Sequence, residues 1–485
     1  MREVIVPLLL GVLLASPPAA ALERLPAVLH VHSTLSTGTQ SLDDLAATAE
    51  RNGIGALLLS ENYLLKVEYG LPPFRALTRL VHEEPSVLGR LDGYLARVAE
   101  VRRRFPRLVI VPGVEVMPHY HWSGTPLGLD VRLHDTQKNL LLFGVGDAAA
   151  LRRLPVTGNP AARALGTQSM LDALPVALVL VGLVVLARPR VRRRRLGMAV
   201  MEVRQRRWLS SGALVAIGIA ALVRGWPFTV DRYPPWHDFG VAPHQALIDD
   251  VEARGGAAIW SFPEAPDAGA RQLGPVRVSW RTEPYPDDLL RTAGYTAFGG
   301  VYEQPTHATR PGGPWDRVLT QYAVGERRRP IWTVGESGFH GPRAGKRVGP
   351  VQTVFFVAER SEAGVLEALK RGRMYALRNS GNVPLVLSEM LIGSSTAVAG
   401  MGETLAAAPG TPIEVRATVE TAGGGAQPMR VVLVKNGEVA TSWMVQTPAR
   451  IVHRDTAGAR PSVYRLEARV SAADYLVANP VFVAP

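Results

Sequence analysis

Apolar and polar positions follow two different patterns along this chain. Over residues 23–150, the short apolar runs "AVLHVH", "GALLLS", "RLVIVPGVEV" and "NLLLFGV" alternate with stretches of helical period such as "LDDLAATAERNG". Short apolar runs bounded by turn residues are typical of buried strands, whereas a 3.6-residue period indicates an amphipathic helix. The pattern predicts alternating strands and helices, with a helix between "AVLHVH" and "GALLLS".

The same alternation returns over residues 229–383. The segment "HQALIDDVEARGG" predicts an amphipathic helix closed by glycines and followed by the strand "AAIWSF". "PIWTVGES" predicts another strand, and "SEAGVLEALKRGRMYAL" predicts a helix. Residues 384–485 instead contain β-rich runs at regular spacing, with a hairpin signal at Asn436-Gly437. We therefore expect a C-terminal β-sandwich there.

Two uncharged apolar stretches, 173–187 and 208–223, interrupt the α/β pattern. Each is slightly shorter than the ~20 residues that cross a bilayer core, but flanking arginines and tryptophans can extend it. Nine arginines and one glutamate lie between Arg188 and Arg207. By the positive-inside rule this is a cytoplasmic loop. Residues 151–228 therefore predict a transmembrane hairpin whose flanking parts both lie outside the cytoplasm.

The N-terminal residues 1–21 combine a short apolar core with an A-x-A sequence, which is typical of a secretory signal peptide. An uncleaved anchor is the alternative, and it gives the same topology. We therefore expect a protein of a bacterial-type inner membrane, with its main domains on the periplasmic or extracellular side.

Composition changes this picture in two ways. The formal charge of +12 resides mostly in the arginine-rich loop, where a topogenic signal accounts for it, so no nucleic-acid partner is expected. The chain of 485 residues contains no cysteine. Disulfides, thiolate-ligated zinc and thiol nucleophiles are therefore excluded.

Candidate chemistry begins with His30 and His32, which close the first apolar run. Residues i and i+2 of a strand face the same side, so both imidazoles can reach one metal ion. Glu115 follows the buried strand that ends at Gly113, and a carboxylate at the carboxyl end of a barrel strand can bridge metal ions.

A second strand end supplies further candidates. "PIWTVGES" brings Glu336 and His340 to the same edge, and "AAIWSFPEA" runs into Glu264. His119 and His121 follow Glu115 closely and are candidate ligands, although a polar and aromatic rim is the simpler interpretation of that segment.

In this order, the His-x-His pair, the strand-end acid, the strand followed by proline and the late histidine resemble the PHP (polymerase and histidinol phosphatase) family. The chain most resembles its CehA/McbA-like metallohydrolase branch, whose members carry a C-terminal β-domain. The resemblance implies a (β/α)7 barrel, here interrupted by the membrane hairpin. It also implies a metal site of two or three ions (Zn, Mn or Fe) and hydrolysis of phosphoesters or related esters by metal-activated water.

The family's metal ligands carry over only in part. His30, His32, Glu115 and His340 match, and Glu61 stands where the family has aspartate. Glu61 and Glu336 are also the candidates for a catalytic carboxylate. Four positions that usually hold a ligand or catalytic group carry other residues, namely Asn62, Asn139, Phe262 and Gly338. His119, His121, Glu336 and Glu264 are possible replacements. We expect one or two ions.

Two functions remain open at this point. The first is a membrane-tethered, extracytoplasmic hydrolase acting on a small molecule or an envelope substrate. The second is a catalytically inactive pseudoenzyme that serves as a binding or assembly module. A signalling role has little support, because the cytoplasmic loop of about twenty residues is too short to hold a domain.

Overall fold

The computed structural model describes residues 22–71, 74–342, 345–381 and 383–485, so the signal segment predicted at 1–21 lies outside the described residues. The first α/β part consists of ten strands and three helices. They are β1 (Glu23–Val31), α1 (Leu42–Arg51), β2 (Ala56–Leu59), β3 (Glu61–Asn62), β4 (Leu65–Tyr69), β5 (Leu80–Glu84), α2 (Leu91–Arg104), β6 (Val109–Val111), β7 (Gly113–Val116), β8 (His121–Thr125), β9 (Asp130–His134), β10 (Leu140–Phe143) and α3 (Ala148–Arg152).

An inserted segment and a second α/β part follow. The insertion holds α4 (Thr167–Asp172), α5 (Val176–Ala187), β11 (Arg190–Leu196), β12 (Ala199–Gln205) and α6 (Trp208–Gly225). The second part holds α7 (Ala242–Ala253), β13 (Ala257–Trp260), β14 (Asp267–Leu273), β15 (Val276–Thr282), α8 (Asp288–Arg291), β16 (Ala297–Val301), α9 (Pro314–Ala323), β17 (Trp332–Gly335), β18 (Val351–Val357), α10 (Glu362–Arg371) and β19 (Met374–Asn379).

Strands from both α/β parts form one closed ring. The pairings run from β1 through β2 and β6, with their continuations β3 and β7, and then through β10, β13, β16 and β17. Backbone hydrogen bonds between Ser337 and Leu29, and between Phe339 and both His30 and His32, close the ring. One hydrophobic core is shared by both parts. The predicted alternation of strands and helices is confirmed, and the insertion does not divide the core.

One strand of the ring departs from a fully parallel α/β barrel. β10 runs antiparallel to both β7 and β13. It is reached from β7 through the β8–β9 hairpin, and an antiparallel neighbour does not require a crossover helix. Because β10 is reversed, its first residues lie at the edge where the parallel strands end. Asn139, just before β10, therefore lies at the same edge as Glu61 and Glu336.

The helix predicted over "SEAGVLEALKRGRMYAL" is too long. α10 ends at Arg371 because Gly372 adopts a left-handed conformation (φ 71°), and the chain then enters β19. A glycine in this conformation is a common helix terminator.

The C-terminal part is rich in strands, as predicted. It contains β20 (Leu385–Gly393), β21 (Val398–Gly400), β22 (Thr404–Ala406), β23 (Pro412–Thr421), β24 (Pro428–Lys435), β25 (Glu438–Gln446), β26 (Ala449–Thr456), β27 (Ser462–Arg469), β28 (Asp474–Ala478) and β29 (Val481–Ala484). Its strands enclose a second hydrophobic core, and β28 pairs with β19. The C-terminal sheet is therefore continuous with the sheet of the barrel.

The inserted segment contains two helical stretches that are long and apolar enough to cross a membrane, Thr167–Ala187 and Trp208–Gly225. They contact each other closely, since a Cβ atom on Gly182 or Gly218 would lie 2.8 or 2.7 Å from a valine methyl of the other helix. The arginine-rich connection predicted as a loop is a β-hairpin, in which β11 and β12 pair along their whole length.

The insertion joins the barrel through a short neck. Ala164 and Val230 exchange two backbone hydrogen bonds of 3.1 and 2.9 Å. Beside them, the Arg163 guanidinium donates to Asp231 and to Glu68, at 3.1 and 3.0 Å. The two chain segments that enter and leave the insertion are therefore tied to each other and to the barrel.

Candidate metal centre

The His-x-His pair reaches one centre by a different route from the one predicted. β1 ends at Val31, and the register with β2 shifts between Leu29 and Val31, so His30 lies in a bulge. Its φ of 67° is in the left-handed region, which is rare for a residue other than glycine. A bulge re-aims a side chain, and here it brings the His30 and His32 ring centroids to 5.0 Å.

His340 completes a group of three imidazoles. It stacks on His32 with ring centroids 3.9 Å apart. One ring nitrogen from each of His30, His32 and His340 lies within 4.8 Å of those of the other two. Among the described residues, this is the one group of three such side chains close enough to share an ion.

Each imidazole is anchored through its Nδ1 atom. His30 Nδ1 lies 2.6 Å from Glu336 Oε1, and His340 Nδ1 lies 2.9 Å from the Thr37 hydroxyl. His32 Nδ1 makes a longer contact of 3.5 Å with the Ser36 hydroxyl. Both hydroxyls donate their own hydrogen to another oxygen, so they accept from the rings. These partners assign the Nδ1–H tautomer to all three histidines.

The assignment leaves the Nε2 lone pairs free in the neutral rings. His30 Nε2 and His32 Nε2 are both fully buried and have no hydrogen-bond partner. A buried nitrogen without a partner is costly unless something binds there. Imidazole Nε2 is a common metal ligand, and an Nδ1–H bonded to a carboxylate is the usual support for it. The donor set therefore fits a divalent cation.

Glu115 faces the same two nitrogens. Its carboxylate oxygens lie 3.4 Å from His30 Nε2 and 3.4 Å from His32 Nε2. Each oxygen also accepts an amide hydrogen bond, at 2.8 Å from Asn139 Nδ2 and 3.0 Å from Asn62 Nδ2. Asn62 and Asn139 therefore position this carboxylate.

Glu336 supports His30 from behind. Its oxygens also accept from the Ser261 hydroxyl at 2.5 Å and from the Phe262 backbone N–H at 3.0 Å. A Cβ atom on Gly299 would lie 1.8 Å from Glu336 Oε2, so only glycine leaves room for this carboxylate. Glu336, a candidate catalytic residue in the sequence, contacts the centre through His30 Nδ1.

Glu61 lies behind His32. Its oxygens accept from the Ser33 backbone N–H at 3.0 Å and from the hydroxyls of Ser33 and Ser36, each at 2.5 Å. Burial raises the pKa of Glu61 to about 7, although the three hydrogen bonds oppose the shift. Glu61 was predicted as a ligand, but it contacts the centre through Ser36 rather than joining the three-histidine group.

Phe262 and Gly338 pack against each other beside His30. The Phe262 ring stacks on His30 at 5.1 Å, and Phe262 itself has a left-handed φ of 41°. A Cβ atom on Gly338 would lie 2.7 Å from that ring. Because a larger residue at position 338 would collide with Phe262, the glycine and the phenylalanine accommodate each other.

The electrostatics of the centre favour positive charge at His30. Burial lowers the pKa of His30, but the charge of the nearby Glu115 carboxylate, together with the charge and hydrogen bond of Glu336, outweighs it and raises the pKa to about 9. Burial and neighbouring histidines lower the pKa of His32, and burial with the His30 charge lowers that of His340 to about 4. Burial raises the pKa of Glu115, yet the histidines and Asn139 outweigh it and hold that pKa below its usual range.

His119, His121 and Glu264, the replacement ligands proposed from the sequence, lie outside the group of three histidines. His119 contacts the Thr157 hydroxyl at 2.9 Å through one nitrogen and the His237 carbonyl at 3.1 Å through the other. Glu264 accepts from the backbone N–H groups of His307 and Ala308. His121 stacks on His134 and is outside the group of three histidines.

Sequence reasoning missed the hydroxyl groups that orient the centre, namely Ser33, Ser36, Thr37 and Ser261. Three of them belong to "HSTLST", directly after the His-x-His pair. A run of hydroxyl residues after two histidines was the available signal, because each metal-bound imidazole needs an acceptor for its other nitrogen.

No family model and no curated protein matches the chain. Among solved structures, a two-domain protein containing a predicted PHP-like metal-dependent phosphoesterase, from Bacteroides vulgatus, is 11% identical. The alignment covers 97% of this chain and 98% of that chain, with a TM-score of 0.37. A candidate metal-dependent phosphoesterase from Bifidobacterium adolescentis is 15% identical, with 71% of this chain and 95% of that chain covered and a TM-score of 0.30.

A CARDB domain from Pyrococcus furiosus is 16% identical and covers 21% of this chain and 97% of its own, with a TM-score of 0.15. The evidence for a metal centre in this chain is the convergence of His30, His32 and His340 and the unpartnered Nε2 atoms of the first two.

Proposed function

We propose that this chain is a PHP-type, metal-dependent hydrolase of phosphoesters or related esters, most similar to the CehA/McbA-like branch. The observation that carries the proposal is the convergence of three imidazoles, two of them with a buried Nε2 that has no partner. A bound divalent ion would supply Lewis acidity and lower the pKa of a water molecule. Three histidines and one carboxylate meet the need of a catalytic ion for about three protein ligands.

The surrounding residues support an anionic substrate. Lys346 donates to the Gly338 carbonyl at 3.1 Å, and its positive charge acts on His340. The Lys346 ammonium is partly exposed and forms an ion pair with Glu303 at 3.4 Å. We propose that a phosphate oxygen of the substrate takes the place of that carboxylate. Glu336 and Thr37 would keep His30 and His340 in the ligating tautomer.

The second candidate is a binding module without turnover. It is favoured by the hydrogen bonds that the Asn62 and Asn139 amides donate to Glu115. In the family that the sequence resembles, the matching carboxylate bridges ions. Such a centre could keep an ion for structure or ligand binding alone.

The first experiment measures the metal content of purified full-length protein, together with chromogenic phosphomonoester and phosphodiester hydrolysis. We expect about one equivalent of metal, and turnover that a chelator abolishes and a divalent ion restores. Metal without turnover on any ester favours the binding module. Metal content unchanged in His30→Ala/His32→Ala contradicts the assignment of the centre.

We further propose that the inserted segment tethers the protein to a membrane, with the barrel and the C-terminal sheets outside the cytoplasm. The support is the length and apolar surface of the two helices and the arginines of the hairpin between them. The chain lacks cysteine, so single cysteines can report topology. With an impermeant maleimide on intact cells, Leu127→Cys should react and Met198→Cys should not. The reverse pattern contradicts the orientation.

Because the neck ties the inserted segment to the barrel, we propose that a membrane tether would hold the centre near the membrane and that its substrate or partner lies in the envelope. Replacing residues 172–226 by a short linker should reduce activity on vesicle-embedded substrates. If the replacement left the activity on embedded substrates and the activity on soluble substrates both unchanged, this proposal would be contradicted.

A further inference from the structure

Resting on the metal-dependent function above, we propose that the centre holds a single divalent cation. The ligands would be His30, His32, His340 and Glu115, and two amide groups take the place of a second ion. Three features support a single ion: the hydrogen bonds that Glu115 accepts, the orientation of the Asn62 and Asn139 amides, and the number of buried carboxylates beside His30.

The lone pairs of Glu115 are divided between the amides and one cation position. A carboxylate has two oxygens with about two acceptor sites each. Asn139 Nδ2 takes one site on Oε1, and Asn62 Nδ2 takes one on Oε2. The remaining site on each oxygen faces His30 Nε2 or His32 Nε2, both at 3.4 Å. Those two nitrogens belong to the same group, so both oxygens face one ion.

The amide of Asn62 cannot readily exchange its oxygen for its nitrogen. The Thr37 hydroxyl donates to Asn62 Oδ1 at 2.6 Å, which directs Nδ2 toward Glu115. A flipped amide would place its oxygen against the carboxylate. The amide nitrogen is a donor only, and its lone pair is not available to a metal.

Asn139 offers one oxygen and no more. Its Oδ1 is buried without a hydrogen-bond partner, while its Nδ2 is held by Glu115. A single amide oxygen falls short of the about three protein ligands that a catalytic ion takes. On the other side of His30, the Phe262 ring fills the space with carbon atoms.

Charge balance points the same way. Glu115 and Glu336 are the two carboxylates in contact with His30, and both are buried. One divalent cation neutralises them. A second would leave two buried positive charges without a partner, which is strongly unfavourable. Glu61 is outside the group of three histidines and meets it only through the Ser36 hydroxyl.

The test is calorimetric titration of chelator-treated, full-length protein with Zn²⁺, and separately with Mn²⁺, alongside elemental analysis of the saturated protein. We expect one equivalent of the tighter-binding ion. Two or more equivalents, both lost in His30→Ala/His32→Ala, would overturn the single-ion inference and leave the metal-dependent function standing. No binding of either ion would overturn the metal-dependent function and this inference with it.

A second variant tests the role given to the amides. In Asn62→Ala/Asn139→Ala, with folding checked by circular dichroism, we expect the stoichiometry to stay at one while affinity falls. Loss of all binding by the folded variant would show that the amides are ligands, and would overturn their assignment as donors. The wild-type titration does not depend on this variant folding.

Discussion

Two groups of histidines lie in this barrel, and they are built differently. In the first, His30, His32 and His340 are anchored through Nδ1, and Nε2 of His30 and of His32 has no hydrogen-bond partner. In the second, near β8 and β9, His119 is bonded through both nitrogens. His134 there contacts the Ser123 hydroxyl at 2.8 Å.

The difference shows that the number of neighbouring histidines does not make a metal centre. The second group stacks His121 on His134 at 4.5 Å, closer than His30 and His32 approach each other. His119 spends both nitrogens on a hydroxyl and a backbone carbonyl, whereas His121 Nδ1 is buried without a hydrogen-bond partner, as are His30 Nε2 and His32 Nε2. Among the described residues, however, only His30, His32 and His340 bring three ring nitrogens within reach of one ion. What distinguishes the first group is that Nδ1 of each ring is anchored by a hydrogen bond, while Nε2 of His30 and of His32 faces the Glu115 carboxylate.

The largest effect should come from removing the ligands themselves. His30→Ala/His32→Ala should reduce Zn²⁺ affinity by more than the ~100-fold that loss of an outer-shell partner costs. Elemental analysis and a competing chromophoric chelator measure this. The matched control, His121→Ala/His134→Ala, should keep its metal. Equal losses in both variants would remove the distinction between the two groups.

Removing the anchor of His30 should have the next largest effect. Glu336→Gln keeps the volume but loses the negative charge that holds His30 Nδ1–H, so Zn²⁺ affinity should fall by about 10- to 100-fold. Glu264→Gln, on a carboxylate that accepts from a turn, is the control and should change affinity little. An unchanged affinity in Glu336→Gln would show that His30 does not need its carboxylate.

The metal affinity of the first group should also depend on pH, because a proton on His30 competes with the ion; we expect no such dependence from the second group. Without an ion, His30 keeps its proton up to a pKa of about 9, so a cation must displace it at neutral pH. His340, with its pKa lowered to about 4, adds no competing proton there. Affinity should therefore rise by about tenfold per pH unit from pH 6 toward 9 and then level off.

This slope can be measured by chelator competition at several pH values, with the chelator's own protonation taken into account. Glu336→Gln should flatten the slope, because the raised pKa of His30 depends partly on that carboxylate. A wild-type affinity independent of pH between 6 and 9 would contradict a protonated His30.

The smallest effect should come from the hydroxyl anchor of His340. Thr37→Val removes an acceptor for His340 Nδ1 and a donor to Asn62 while keeping the side-chain shape. We expect a reduction in Zn²⁺ affinity of about tenfold or less, since His340 is the most exposed of the three ligands. Ser123→Ala, which removes the hydroxyl contact of His134, should have no effect on metal affinity.

The sequence pattern predicted much of the fold because buried strands and amphipathic helices leave periodic signals. The strand at "AVLHVH", the helix of "HQALIDDVEARGG" and the strand-rich C-terminal part are examples. It could not predict the reversed direction of β10 or the bulge at His30, because both depend on pairing with distant strands. The early end of α10 was readable from Gly372.

The candidate centre was predicted in part, from the spacing of motifs along the chain. His30, His32, Glu115 and His340 were predicted from motif spacing. The structure groups the three histidines and places Glu115 3.4 Å from His30 and from His32. The separate roles of Glu61 and Glu336 depend on hydrogen bonds to Ser36 and to His30, which join residues far apart in the chain. No local pattern distinguishes a ligand from the residue that supports it.

The direct pairing of β10 with β13 bears on how the protein is synthesised. β10 is the apolar sequence "LLLF", and one of its edges is completed by a strand that begins at Ala257. Between them the ribosome must translate the entire inserted segment, which takes on the order of ten seconds. During that interval the first half of the barrel has an open, apolar strand edge, the kind of edge that invites aggregation. The insertion therefore lengthens the time for which this edge of β10 lacks its partner strand.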